Sequence, residues 1–291
     1  MGADLDFIIN TKIFMDFLKK CRVGGLVKDL IIWGQNDCIF SKFSDQHLTM
    51  YGEVYEKNVK IKIEGSIKIV VLDKVIQVLS RAESEIIRVV SNTNMFMITD
   101  GDKAGKFRSE FVQSGEAEFV NSYNKIKDAP KTIFQKDSLQ YKNFNFENGF
   151  EIPYESLQTI LKDAKAFGFE SYKFKEDKNK DGVSILSCVI EDRSIGEKFT
   201  RKMIINKKFT DVDMKPVLIG TGFKEMISSL NKEIEIKEDD KNKLLKNYKL
   251  YFHDVAVLIT DGIDVFYIIN SIQENWGKYE RTYQLCLYSW I

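Results

Sequence analysis

The chain has 291 residues, of which 44% are hydrophobic, 12% aromatic and 30% charged, and only three are prolines. This composition excludes a disordered, a collagenous or a disulfide-scaffold protein, and the length suffices for one large domain or two ordinary ones. Lysine plus arginine and aspartate plus glutamate both number 43, so the formal net charge is zero. Binding to a polyanion would therefore depend on how the charges are distributed and not on their sum.

Cysteine and histidine usage argues against a metal centre. The four cysteines and two histidines are scattered, and no C-x-x-C pair occurs, whereas a zinc site needs clustered ligands. No apolar run approaches the roughly 20 residues that span a bilayer. Asp4 and Asp6 interrupt the stretch that a signal peptide would need to be apolar. We therefore expect reduced thiols, no metal, no cofactor and no membrane contact, in a soluble protein of the cytoplasm.

The first half of the chain predicts a strand, a helix, several strands, a second helix and further strands. Helical spacing runs over 13–21, with Asn10 or Thr11 as the N-cap and Gly24 and Gly25 ending the helix. The second helix begins at Asp73. Alternating patterns predict strands at 26–33, 38–43, 48–55, 59–64, 86–90, 95–99 and 106–111.

The pattern lapses between about residues 122 and 148, which we interpret as a connector between two domains. After the connector the same order begins again, with a strand at 150–152 and a helix after Pro153. A shorter helix is predicted near 223–230. Strands are predicted at 171–175, 183–190, 198–205, 233–237, 248–253, 255–260 and 265–270.

A local repeat fixes how the two halves correspond. The segments 95–101 and 255–262 are both apolar strands that end in Ile-Thr-Asp-Gly, and Asp-Gly is a strong hairpin signal. Each segment follows the second helix of its half. The sequence therefore predicts an α+β protein built from one unit used twice.

No motif supports catalysis. Residues 177–182 match the first half of a calcium-binding loop, but Cys188 stands where the bidentate glutamate belongs, so a charged hairpin turn is predicted. Gly220-Thr221-Gly222 precedes a helix, and a turn in which Thr221 caps that helix is favoured over an anion site. We therefore predict that the protein is not an enzyme and has no catalytic residues.

The helices carry more basic than acidic residues on their outer faces. Taken singly, such a face is ordinary solvated charge, but its presence on four helices of a duplicated unit favours contact with phosphates. The basic residues of these helices and their ends, candidates for contact with phosphates, are Lys12, Lys19, Lys20, Arg22, Lys74, Arg81, Lys162, Lys165, Lys224 and Lys232.

This order of elements resembles the DNA sliding clamps of the two-domain, PCNA-like type, over about residues 5–272. The resemblance rests on element order, on the opening strands at 7–9 and 150–152, and on the repeated Ile-Thr-Asp-Gly. It implies two helices on one side of curved antiparallel sheets in each domain, and a ring of three chains around duplex DNA. The implied domains are 1–122 and 149–272, with a connector at 123–148 and a C-terminal tail at 273–291.

The resemblance also implies a site for partner peptides beside the connector. Four aromatic residues of the connector either form the wall of that pocket or pin the connector to the sheet: Phe134, Tyr141, Phe144 and Phe146. The tail contains Gln284, Leu287 and Trp290, spaced as in a clamp-binding peptide, although Ile291 replaces the usual second aromatic residue. The tail is therefore either such a peptide, native or fused, that occupies a pocket, or an ordinary terminal strand.

The predicted function is that of a processivity factor for DNA replication. As a homotrimeric ring it would tether a DNA polymerase to duplex DNA without reading the sequence, and a clamp loader would be a further partner. The alternative is a monomeric or dimeric accessory protein that holds DNA by its basic helix face alone. A composition poor in proline and rich in lysine, asparagine and isoleucine points to a viral or phage protein, in the host cytoplasm if phage-encoded.

Overall fold

The computed structural model describes most of both predicted halves, and the chain divides into two compact units, residues 1–129 and 130–291. The described residues are 5–47, 49–92, 94–100, 108–113, 133–135, 138–141, 144–168, 170–192, 197–220, 222–231 and 246–272.

The helices that the structure describes agree with the predicted ones. They are α1 (Thr11–Arg22), α2 (Leu72–Leu79), α3 (Tyr154–Phe167) and α4 (Phe223–Ser228). Of the two possible N-caps of α1, Asn10 is the cap, since its side-chain oxygen accepts the N–H groups of Lys12 at 2.9 Å and Ile13 at 3.3 Å. Helix α1 ends where Val23 takes a left-handed conformation, followed by a 3₁₀ turn that contains Gly24 and Gly25.

Unit 1 contains nine described strands in two antiparallel sets. The strands are β1 (Asp6–Asn10), β2 (Leu30–Gln35), β3 (Cys38–Ser44), β4 (Met50–Glu56), β5 (Val59–Ile63), β6 (Gly65–Ile69), β7 (Ile86–Ser91), β8 (Met95–Asp100) and β9 (Arg108–Val112). One set has the order β5-β1-β7-β8-β9 and the other the order β6-β2-β3-β4.

Unit 2 contains twelve described strands. They are β10 (Ile133–Gln135), β11 (Ser138–Tyr141), β12 (Phe144–Phe146), β13 (Asn148–Pro153), β14 (Ser171–Lys178), β15 (Ser184–Asp192), β16 (Glu197–Lys202), β17 (Lys207–Lys208), β18 (Val217–Ile219), β19 (Asn247–His253), β20 (Ala256–Thr260) and β21 (Val265–Asn270). Strands β10, β11 and β12 form a small sheet of their own. The others run in the orders β17-β13-β19-β20-β21 and β18-β14-β15-β16.

The two units have the same topology. The order β5-β1-β7-β8-β9 corresponds to β17-β13-β19-β20-β21, and β6-β2-β3-β4 corresponds to β18-β14-β15-β16. Strands β8 and β20, which carry the repeated Ile-Thr-Asp, take equivalent places. Helices α1 and α3 both follow the opening strand, and α2 and α4 both precede β7 or its equivalent β19. The predicted duplication is therefore confirmed in every described element of the two units except the small connector sheet.

Each pair of helices packs on one side of its sheets. Helix α1 contacts β1 and β4, one strand from each set of unit 1, and also contacts α2. Buried aromatic rings fill the space beneath the helices: Phe7 meets Phe14 edge-on at 5.5 Å in unit 1, and Phe174 meets Phe223 edge-on at 5.4 Å in unit 2. This arrangement is the predicted one, and it leaves one face of every helix toward solvent.

Several predicted boundaries require correction. The strand predicted at 26–33 lies at Leu30–Gln35, since the 3₁₀ turn and the residues after it occupy the beginning of the predicted range. The segment interpreted as a patternless connector contains three short strands. Strands β6, β17 and β18 were not predicted; β17 and β18 have only two and three residues, which are too few to show alternation. The strand predicted at 233–237 and Thr221 lie outside the described residues.

The hairpin predictions in unit 2 are confirmed. Residues 179–183 form the predicted charged turn between β14 and β15. At the second Asp-Gly, the Asp261 carboxylate accepts the N–H groups of Ile263, Asp264 and Val265, while Gly262 takes a positive φ of 85°. In the part of the chain that the structure covers, no helix is long and apolar enough to cross a membrane.

Candidate nucleic-acid interface

Helix α1 presents two exposed cations on one face. Lys12 and Lys19 are both exposed and lie seven residues apart, so they project from the same side of the helix. The opposite side carries the buried side chains of Phe14, Leu18 and Cys21. Apolar burial therefore fixes the rotation of α1 and directs these two lysines away from the protein.

Two other predicted cations of α1 are already paired. Lys20 is only 12% exposed, and its Nζ lies 2.8 Å from Oδ2 of Asp16 one turn earlier. The Arg22 guanidinium forms an ion pair with Asp73 at the start of α2. The first pair lies within α1 and the second connects the end of α1 to α2, and both leave Lys20 and Arg22 less available for phosphates than Lys12 and Lys19 are.

The second helix of unit 1 adds exposed cations at both ends. Lys74 lies in its first turn, and Arg81 just follows its last residue; both are exposed. Sequence analysis overlooked Lys28, which is also exposed and whose carbonyl accepts the N–H of Leu72 at 3.0 Å. That long-range hydrogen bond places Lys28 beside α2, and such a contact leaves no local pattern in the sequence. The one available signal was that Lys28 follows the basic end of α1.

In unit 2 the structure brings cations of both helices to one groove. Lys162 and Lys165 are exposed on α3, and Lys224 is exposed on α4. Lys165 and Lys224 line a groove of about 220 Å³ between the two helices, together with the carboxylate-bearing Glu170 and Glu225. The groove thus places two cations within reach of one anionic group, although its own carboxylates offset part of their charge.

One ion pair and one buried ring support the helix and the sheet beside this groove. Asp163 of α3 accepts two hydrogen bonds from the Arg201 guanidinium on β16, at 2.6 and 2.8 Å. Tyr172 forms part of the groove floor, and burial, reinforced by nearby acidic groups, raises the pKa of its hydroxyl. The hydroxyl therefore stays protonated at neutral pH. The remaining predicted cation, Lys232, lies outside the described residues.

The same cations also stabilise the helices that carry them. Lys19, Lys20 and Arg22 lie in the last turn of α1, and Lys165 in the last turn of α3, where positive charge complements the helix dipole. Helix stability therefore accounts for part of the positive charge in these last turns, whether or not the residues bind phosphates. Helix stability does not explain Lys12, which lies in the first turn of α1, or Lys162, which lies before the last turn of α3.

The predicted connector pocket is only partly described. Phe146 is fully buried and meets the imidazole of His253 on β19 edge-on at 6.0 Å. Phe146 therefore pins this end of the connector to the sheet. The side chains of Phe134, Tyr141 and Phe144, and the whole tail with Gln284, Leu287 and Trp290, lie outside the described residues.

The two buried cysteines of the described residues are protonated thiols. Burial raises the pKa of the Cys21 and Cys188 thiols, both of which lie in the core, so they stay protonated at neutral pH. Among the residues that the structure describes, no group of three or more histidine, cysteine, aspartate or glutamate side chains is placed to hold a metal ion.

Comparison with solved structures identifies the fold. A. fulgidus PCNA, solved with the C-terminal region of FEN-1, is 12% identical at a TM-score of 0.63, covering 93% of this chain and 99% of that chain. Entamoeba histolytica Proliferating Cellular Nuclear Antigen is 9% identical at a TM-score of 0.63, covering 94% of this chain and 100% of that chain. The beta subunit of Thermotoga maritima DNA polymerase III is 13% identical at a TM-score of 0.61, covering 94% of this chain and 66% of that chain.

The chain has the fold of the DNA sliding clamps. It spans nearly the whole length of both PCNA chains and about two thirds of the bacterial beta subunit. No protein-family model and no curated protein matches it at the level of sequence.

Proposed function

We propose that the protein is a sliding clamp, a non-enzymatic processivity factor that surrounds duplex DNA and tethers a DNA polymerase. The observation that carries the proposal is the duplicated unit, in which apolar packing directs exposed lysines of α1 and α3 to the same side of equivalent helices. The sliding-clamp fold supports it. The protein would speed DNA synthesis by raising the effective concentration of the polymerase at the primer end, and it would catalyse no reaction itself.

The charged groups suit sliding better than fixed binding. Lys12, Lys19, Lys162 and Lys224 are exposed side chains on long flexible stems, which contact phosphates through charge and not through a rigid geometry. Contacts of this kind carry no sequence information. DNA binding by this face should therefore be independent of sequence and sensitive to salt.

Ring closure would use strands that end their sheets. Strand β9 ends one sheet of unit 1, and β16 ends one sheet of unit 2. Pairing β9 of one chain with β16 of the next would generate a head-to-tail ring and remove both edges, and we propose three chains in that ring. Apolar side chains accompany both edges: Val112 on β9 is 72% exposed, and Phe167, stacked on Phe199 of β16, is 49% exposed.

The test of this function is topological. The chain is mixed at low concentration with nicked circular plasmid, concentrated so that rings close, washed in high salt, and then treated with an enzyme that cuts the plasmid once. A closed ring should survive the wash and be released when the circle is linearised. Protein that binds only by its basic face should leave in the wash whether the DNA is circular or linear, which would favour the monomeric or dimeric alternative.

We further propose that partner proteins dock beside the connector and that the tail competes with them. The proposal rests on the spacing of Gln284, Leu287 and Trp290. Removing residues 276–291 should then raise the affinity for a peptide that carries the same spacing with two aromatic residues, as measured by calorimetry. Unchanged affinity would remove the competing role and leave the tail as a terminal strand.

A further inference from the structure

The connection between β17 and β18 differs from its counterpart in unit 1. In unit 1 the equivalent strands, β5 and β6, are joined by the single residue Glu64, whereas in unit 2 eight residues, 209–216, join β17 to β18. The strands that are joined are shorter in unit 2, with five residues in total against ten in unit 1, so the stretches 59–69 and 207–219 have 11 and 13 residues and the second consists mostly of loop. Long ordered loops on a rigid scaffold are common places for binding sites.

Ion pairs hold this connection against the body of unit 2. Before it, Lys208 pairs with Glu176, which is 3% exposed, and Glu176 also accepts the N–H of Met214 at 2.9 Å. Within it, Asp213 lies 2.9 Å from Lys178 and Lys215 lies 2.9 Å from Asp254. The connection is therefore fixed at three successive points by contacts with β14 and with the turn after β19.

A cavity of about 360 Å³ lies between this connection, the start of β13 and the turn that follows β19. Its floor is apolar, with Met214, Val217 and Phe252, all of which are buried. Its rim is acidic, with the carboxylates of Glu147, Asp213 and Asp254. The shape thus combines an apolar floor with a charged mouth.

The rim has more negative than positive charge. Among the described residues that line the cavity, Lys215 is the only lysine or arginine, and it is paired with Asp254. Burial lowers the pKa of the His253 imidazole despite the nearby carboxylates of Asp254 and Glu147, so this histidine is uncharged at neutral pH. The exposed Glu147 remains to attract a cation.

A hydrogen-bond acceptor in the wall also lacks a donor. The Oδ1 atom of Asn148, a residue that lines the cavity, is buried, and no donor among the described residues reaches it. A buried acceptor without a donor costs about 1–3 kcal/mol. A ligand that brings N–H groups would therefore gain more here than one that brings acceptors.

We propose that this cavity binds a basic side chain, arginine or lysine, of a partner peptide. The methylene stem would cover the apolar floor, and the charged head would reach the carboxylates of the rim and the amide of Asn148, since long basic side chains bury their stems and expose their charge. The site lies within unit 2 and away from the cations of α3 and α4. The inference therefore does not depend on ring closure or on DNA binding.

The chain provides its own reporter for a test. It contains two histidines, His253 beside the cavity and His47 in unit 1. A carbon–proton NMR correlation spectrum of the full chain therefore distinguishes two imidazole rings. The probes are N-acetyl-arginine amide, N-acetyl-lysine amide and N-acetyl-citrulline amide, the last a neutral analogue of arginine with nearly the same shape. The titrations are made without DNA.

We expect both basic probes to shift the His253 signal saturably while the His47 signal stays in place and citrulline has little effect. The Glu147→Gln variant should weaken arginine binding about fivefold, because it removes one partly screened charge interaction. Its matched control, Glu155→Gln, removes an exposed carboxylate on α3 and should leave the affinity unchanged. Equal shifts with citrulline, equal loss in both variants, or no saturable shift of His253 would each overturn the proposal.

Discussion

The two units share a topology but stabilise it with different polar contacts. In unit 1 the residue after β9, Gln113, closes the seam between the two sets of strands: its side chain accepts the N–H of Lys68 at 2.9 Å and donates to the carbonyl of Met95 at 3.2 Å. In unit 2 the second residue after β21, Ile272, closes the equivalent seam through its own backbone N–H, which reaches the carbonyl of Leu218 at 2.7 Å. The apolar pattern thus sets the fold, and each unit meets its hydrogen-bonding needs separately.

The largest difference is the connection between the strands β17 and β18. The stretch 207–219 is only two residues longer than its counterpart 59–69, but more of it lies outside strands, so contacts other than strand pairing must hold it in place. Unit 2 supplies them with the Lys208–Glu176 pair and the pairs that follow. The comparison indicates that the two units hold equivalent stretches in different ways, mainly by strand pairing in unit 1 and partly by side-chain ion pairs in unit 2.

Breaking the buried pair should have the largest effect. Replacing Lys208 by Met leaves the Glu176 carboxylate, which is 3% exposed, without its ammonium partner, so the free energy of unfolding should fall by about 3 kcal/mol in urea titrations at pH 7. The control Lys215→Met removes a pair that is mostly exposed and should cost less than about 0.5 kcal/mol. Equal losses of unfolding free energy in the two variants would mean that the Lys208–Glu176 pair does not hold the connection between β17 and β18.

A close approach in β13 should give the next largest effect. A Cβ atom on Gly149 would lie 2.5 Å from the ring of Tyr251, which is buried, and 2.8 Å from that of Phe209. We expect Gly149→Ala to cost about 2 kcal/mol in the same titrations. Gly182→Ala has open space around it and only the strain of a φ of 77°, so it should cost about 1 kcal/mol. A reversed order would contradict the packing described for this strand.

Acid should weaken unit 2 through two carboxylates. Burial alone would raise the pKa of Glu176 and Asp261, but Lys208 and Lys246 respectively, together with backbone N–H groups, lower both below their ordinary values of 4.5 and 3.8. A lowered pKa contributes stability that is present above the ordinary value and is lost as the pH falls through the folded value. Urea titrations should therefore show stability declining below about pH 4.5, and Lys208→Met should show a smaller decline. An equal decline in the variant would exclude Glu176 as a contributor.

The charged helix faces should produce the smallest effect in free energy, seen mainly in salt dependence. Replacing Lys12 and Lys19 together by Ala should reduce the slope of log affinity against log salt by about 2, if each contacts one phosphate. Lys20→Ala should change the slope little, because Lys20 is paired with Asp16. The salt slopes of both variants are measured by fluorescence anisotropy with duplex DNA whose ends are blocked. A larger effect from Lys20 would mean that the wrong face of α1 meets DNA.

Much of the fold could be predicted from the sequence because it depends on short-range patterns. The spacing of Phe14, Phe17 and Cys21 located α1, and the two Ile-Thr-Asp segments revealed the duplication. Strands of two or three residues, such as β17 and β18, carry too few side chains to show alternation.

The availability of the predicted cations could not be predicted in the same way. Arg22 is paired with Asp73, a residue 51 positions later, and a contact of that separation leaves no local pattern. The cavity beside His253 was missed for the same reason, since its walls come from three segments that lie up to 109 positions apart, from Asn145 to Asp254.

The measurement that tests the central claim most directly is the native mass in solution, determined by light scattering over a dilution series. A ring of three chains predicts about 101 kDa, three times the chain mass of 33.8 kDa, with dissociation only at low concentration. A mass of 33.8 kDa at every concentration would contradict the preassembled ring, while leaving the sliding-clamp fold of the chain in place.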